Sequence, residues 1–117
     1  MDPHFDGVIF KTSSQELERR MRFEHPPYLL IDVREAAERS SGSIAGSVAL
    51  DAGGLEALPE GSSASTEFIV VGSDQYDPRV RDMAQRLREL GAQRVVELPG
   101  GMFEWHAAGA AVVIDGE

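Results

Sequence analysis

Two short segments hold the residues best suited to chemistry, "SDQYDPR" (Ser73–Arg79) and "IDVRE" (Ile31–Glu35). The first sets two carboxylates, Asp74 and Asp77, ahead of a guanidinium, Arg79, with Gln75 and Tyr76 between them. If a helix begins at Pro78, its free N–H groups and its dipole favour negative charge over Asp74–Asp77. Such a loop can cradle an anion, and Arg79 can close over an oxyanion through two parallel bonds. Asp77 also has a plainer role, because Asp followed by Pro is a common helix start with Asp as the N-cap. Asp74 stands at the exit of the preceding strand, where a nucleophile would stand. A carboxylate can be the nucleophile in phosphoryl transfer. That reaction normally calls for Mg²⁺ and a second acid, for which Asp32 and Asp77 are the candidates. With no Asp-x-Asp pair after the strand, the preferred reading is that Asp74 accepts the loop's own N–H groups and fills the cradle from within. In the second segment Asp32 ends an apolar strand and Arg34 follows two residues later. We read them as an ion pair that braces the neighbouring loop rather than as substrate contacts.

Composition narrows the chemistry further. The sequence contains no cysteine, which removes disulfides, thiolate metal sites and any cysteine nucleophile. His4, His25 and His106 lie far apart with no ligand spacing, so neither a metal site nor a cofactor is expected. A formal net charge of −9 makes nucleic acid and anionic membranes poor partners. The longest apolar runs, "YLLI" and "FIVV", fall far short of the ~20 residues of a membrane span. The opening "MDPHFDG" has no basic stretch followed by an apolar one. A soluble, cytoplasmic protein is the expectation.

The elements that must position these loops alternate between strand and helix. Residues 1–6 are expected to be a loose tail and Gly7–Phe10 an edge strand. A helix follows with a capping box at Ser13 and Glu16 and an apolar pair at Leu17 and Met21, ending near Glu24 ahead of Pro26 and Pro27. Tyr28–Val33 reads as a central strand covered on both faces. A short helix at Ala36–Arg39 and a short strand at Ser47–Leu50 come next. "GGLEALPEGSSAS" suggests one helical turn and then a loop. The run "EFIVVGS" is a second central strand. Val80, Met83, Ala84, Leu87 and Leu90 form the apolar stripe of a helix from Pro78, stopped by Gly91. "RVVEL" is a third core strand, "PGGMFEWHAAG" a turn and short helix, and "AAVVIDGE" an extended tail. The 117 residues make one domain, a parallel sheet between two helical layers. Ligands of such sheets bind beyond the carboxyl ends of the strands, where "DVRE" and "SDQYDPR" both lie.

The order of these motifs resembles the rhodanese-like domain. "YLLIDVREAAERSSGSIAGSVAL" is similar to that family's strand, "DVRE", short helix and "GHIPGA" turn, with Ser43 in place of the usual histidine. The stretch from Phe68 onward is similar to its second half, down to "LRELG" and the "L-x-GG-x-x-x-W" motif of Leu98, Gly100, Gly101 and Trp105. The resemblance covers about Phe10 to Val113. It implies a three-layer α/β/α fold with a five-stranded, mostly parallel sheet. Family enzymes carry a sulfane sulfur on a cysteine at the start of the loop. Counting back from Leu90–Gly91 places Asp74 at that position and Arg79 at the basic residue closing the loop. A carboxylate cannot carry a persulfide. The expectation is therefore a catalytically inactive module that binds a partner protein, or a ligand at Asp74, Gln75, Tyr76, Asp77 and Arg79, with Asp32 and Arg34 in support. The alternative is an Asp74-dependent phosphoryl-transfer protein, or a divalent-cation binder using Asp32, Asp74 and Asp77.

Overall fold

The structure, a computed structural model, describes residues 9–23, 28–51, 53–54 and 66–114. The expected tail at 1–6, the start of the edge strand at Gly7, His4, His25 and most of the loop after Gly54 lie outside the described residues. In chain order the elements are β1 (Phe10–Lys11), α1 (Ser14–Phe23), β2 (Tyr28–Asp32), α2 (Ala36–Arg39), β3 (Val48–Ala49), β4 (Glu67–Val71), α3 (Pro78–Glu89), β5 (Arg94–Glu97) and α4 (Gly101–Ala107). The strands form one five-stranded sheet in the order β1-β5-β4-β2-β3, and every strand pairing is parallel. This is the fold class the sequence pattern implies. No helix among the described residues is long and apolar enough to cross a membrane.

Alternation along the strands divides the core in two. Ile31, Val33, Phe68, Val70 and Val95 meet Val80, Met83, Ala84 and Leu87 of α3 on one face. Leu30, Ile69, Val71, Val96 and Leu98 meet Leu17 of α1 and Met102 and Trp105 of α4 on the other. Because β2 and β4 are buried on both faces, they read in sequence as unbroken apolar runs. Local signals mark the helix starts. The Ser13 hydroxyl accepts the Glu16 N–H at 3.0 Å ahead of α1, and Pro78 opens α3.

The chain leaves β2 toward one edge of the sheet and leaves β4 toward the other. The crevice between these two strands is thus the switch point where sheets of this kind bind ligands. β2 and β4 end in register, with Asp32 opposite Val71. The loops "VRE" and "GSDQYD" therefore rise side by side, and α2 and α3 begin as neighbours.

A third segment closes over them. The N–H of Met102 donates to the Gly72 carbonyl at 2.9 Å and that of Phe103 to the Ser73 carbonyl at 2.8 Å. Only glycine fits at position 101: its φ is +58°, and an added Cβ would lie 2.6 Å from the Gly72 carbonyl oxygen and 2.8 Å from the Asp74 nitrogen. Gly91 also has positive φ, +97°, but open space around it. Gly101→Ala is expected to destabilise the domain by about 2–4 kcal/mol and Gly91→Ala by only about 1 kcal/mol, the cost of backbone strain alone. Urea unfolding of the two variants tests this; equal losses would show that the contact between loop and α4 is not tight.

Candidate functional site

The loop after β4 is organised around one carboxylate. Asp77 is the N-cap of α3, and its Oδ1 accepts the Arg79 N–H at 3.0 Å. The same oxygen accepts Arg79 Nε at 2.8 Å. Oδ2 accepts the Ser73 N–H at 2.8 Å, the Ser73 hydroxyl at 3.1 Å and Arg79 Nη2 at 2.8 Å. The Asp77 side chain is 2% exposed. Gly72 makes room for it, since a Cβ there would come within 2.6 Å of Asp77 Oδ2. Asp77 thus fills the loop as an anion would, held by two backbone N–H groups, a hydroxyl and a bidentate guanidinium.

The second half of the Arg79 fork reaches across the crevice. Nη1 donates to Glu38 Oε1 at 2.7 Å and Nη2 to Glu38 Oε2 at 3.0 Å. Glu38 Oε1 also accepts the Glu35 N–H at 2.9 Å, so it caps α2 while it holds α3. The guanidinium that the sequence suggested as a lid over an external oxyanion is instead bonded to Asp77 and Glu38. Two carboxylates and one guanidinium leave this triad with a net charge of −1.

Ionisation follows from the contacts. The hydrogen bond from Arg79, with the Glu35 N–H, lowers the Glu38 carboxyl from 4.5 to about 2. Burial pushes Asp77 up, but the Arg79 guanidinium and the N–H groups of Ser73 and Arg79 overcome it and hold the carboxyl far below the usual range. Glu38 and then Asp77 hold Arg79 above the ordinary arginine value.

The other sequence candidates fall around this centre. Asp74 does not fill the cradle. Its Oδ1 accepts only the Tyr76 N–H, at 2.9 Å, while the Asp77 N–H goes to the Asp74 carbonyl at 3.2 Å. Asp77, besides being the expected N-cap, fills the cradle that Asp74 was expected to fill, in the space that Gly72 leaves. Asp74 is half-buried between two clefts. One, of about 260 Å³, runs past Gln75 to Lys11, Arg81 and Glu97. The other, of about 390 Å³, runs past Tyr76 to Phe103 and Glu104. Gln75 and Tyr76 form the exposed crest.

Asp32 and Arg34 make the expected brace. Arg34 donates Nε to Asp32 Oδ1 at 3.1 Å and Nη2 to Oδ2 at 2.9 Å. Its fork also reaches the carbonyls of Glu38 at 3.2 Å and Gly42 at 2.9 Å. Asp32 is fully buried, and the pair ties β2 to α2 and to the turn beyond it. Ser43, in that turn, pairs with Val113 through bonds of 2.9 and 2.8 Å, which fixes the extended tail. Asp32 and Asp77 are thus both engaged by arginines and do not converge with Asp74 as cation ligands. Among the described residues no three acidic or histidine side chains group as metal ligands do.

Sequence reading misses Glu38 and Glu104, and it assigns Phe103 together with Trp105 to the core, whereas Trp105 is buried and Phe103 is exposed. Glu38 had one available signal: helices that follow adjacent parallel strands start side by side, so an acid in α2 lies within reach of Arg79.

Acid should undo the triad. Glu38 and Asp77 have lowered folded-state values, so their contribution is complete above the unfolded carboxylate value and is lost as pH falls through the folded one. The melting temperature is expected to fall between about pH 5 and pH 2. Glu38→Gln should melt lower at pH 7 and show a shallower decline. Parallel pH profiles for wild type and Glu38→Gln would contradict this.

The comparisons agree with the geometry. The family model for the rhodanese-like domain matches residues 13–108. A rhodanese-like domain from Anabaena sp. shares 23% identity over 92% of this chain and 80% of its own, with a TM-score of 0.77. A Bacillus halodurans protein shares 19% over 95% and 81%, with a TM-score of 0.80. A single-domain sulfurtransferase from Saccharomyces cerevisiae shares 20% over 87% and 92%, with a TM-score of 0.74. No curated protein matches the sequence. The chain belongs to the rhodanese-like family, as a member without cysteine.

Proposed function

We propose that the domain is a catalytically silent rhodanese-like module that binds a partner protein through the face around the Ser73–Arg79 loop. The observation that carries this reading is the Asp77 carboxylate within the loop. In a sulfur-transferring member, loop N–H groups and a closing cation would serve a persulfide and an anionic donor such as thiosulfate. Here Asp77 takes the Ser73 N–H and the Arg79 fork. The triad's net charge of −1 then meets an incoming dianion with repulsion of about 1–3 kcal/mol per charge pair at about 5 Å. Asp74, with no thiol anywhere in the chain, offers nothing to carry sulfur.

The phosphoryl-transfer and cation-binding readings gain no support from the site. The second carboxylates that the sequence offered for them, Asp77 and Asp32, are both engaged by arginines. What the loop retains is a shaped surface: an exposed crest at Gln75 and Tyr76 with a cleft on either side.

A thiosulfate:cyanide sulfur-transfer assay on the wild-type protein is expected to give no turnover above buffer. Asp74→Cys alone is expected to stay at that level, because Asp77 still occupies the cradle. Asp74→Cys with Asp77→Gly frees the loop N–H groups and the Arg79 Nε and should exceed the single variant. Turnover by the cysteine-free wild type would overturn the module reading.

A further inference from the structure

The larger cleft beside Asp74 is lined by Tyr76 and Phe103, which are 80% and 73% exposed, with Asp74 and Glu104 as its charged residues. No lysine or arginine lines it. The Asp74 carboxylate bonds only the Tyr76 N–H, and neither acid has an ion-pair partner among the described residues. Neither ring has a cation over it among the described residues.

At the opposite end of the sheet the same parts occur with the cation in place. Arg94 lies over the Phe10 ring at 4.4 Å and donates Nε to Glu67 at 3.2 Å. Arg20 lies over the Tyr28 ring at 5.1 Å and forks onto Glu67 through bonds of 3.0 and 2.9 Å. In both, a guanidinium is stacked on an aromatic face and bonded to a carboxylate, a pairing that suits its flat, weakly hydrated cation. The cleft offers two rings and two carboxylates with the guanidinium lacking.

We infer that this cleft receives an arginine side chain from a basic segment of the partner protein. The guanidinium would lie against the Tyr76 and Phe103 rings and bond Asp74 and Glu104. The chain's charge of −9 favours approach of a basic segment. This assignment rests on the module reading and adds the chemistry of what the module takes.

Backbone amide NMR with three peptides tests it: Ac-Gly-Arg-Gly-NH2, its citrulline counterpart, which keeps the shape without the charge, and its lysine counterpart. The arginine peptide is expected to move Asp74–Tyr76 and Phe103–Ala107 in a saturable way. The citrulline peptide should leave them unmoved, and lysine should bind more weakly. Phe103→Ala and Glu104→Gln, both at exposed positions, should each weaken arginine binding about twofold to fivefold, with the rest of the spectrum unchanged. Raising NaCl from low to high concentration should weaken it further. Equal shifts from citrulline or lysine would overturn the guanidinium assignment while leaving a module that binds something else there. No shifts from any peptide would overturn it as well. Concentration-dependent shifts at these residues without peptide would show that a second copy of the chain fills the cleft, which also overturns it. The sulfur-transfer assay reads the module proposal separately.

Discussion

The loop end of this domain depends on one buried carboxylate. Asp77 collects the Ser73 N–H and hydroxyl, the first free N–H of α3 and the guanidinium of Arg79. Without it the Ser73 and Arg79 N–H groups lose their partner, at about 1–3 kcal/mol for each one left buried and unpaired. Removing the carboxylate therefore does more than delete a cap. It also takes away one of the two carboxylates on Arg79, leaving Glu38 as the other.

From that centre the arrangement spreads outward by short links. Arg79 joins Asp77 to Glu38 across the crevice between β2 and β4, where a parallel sheet presents its ligands. Arg34 fastens the same α2 from below through Asp32 and two carbonyls. Gly101 lets the first turn of α4 donate to Gly72 and Ser73, so the loop is held on its other side as well. The donors of the loop serve an internal charge, the Asp77 carboxylate. What faces outward is the crest at Gln75 and Tyr76 and the acid-and-aromatic cleft beside it.

Much of this was legible in the residues because the signals were local. Pro78 after Asp77, Ser13 ahead of Glu16 and the runs "YLLI" and "FIVV" act within a few positions, and the elements begin close to where they indicate. The Asp32–Arg34 brace needed only a spacing of two. The edge strand was harder: Phe10 and Lys11, the two residues that pair among those described, are both exposed, so no burial period marks it. The N-cap at Asp77 is local and legible, but that Asp77 and not Asp74 fills the loop depends on a missing Cβ at Gly72 and on which carboxylate that gap admits. The Glu38–Arg79 pair joins positions 41 apart, and the cleft between Tyr76 and Phe103 exists only once α4 docks on the loop. Nothing in a local pattern encodes either.

The central claim is that the loop's capacity for anions is already taken by Asp77. An amide NMR titration with thiosulfate, comparing wild type with Asp77→Gly, tests it most directly. The wild-type signals of Ser73–Val80 are expected to stay put, while in Asp77→Gly they shift to saturation as the freed N–H groups and the Arg79 Nε accept the anion. Saturable shifts in the wild type, matching those of the variant, would contradict it.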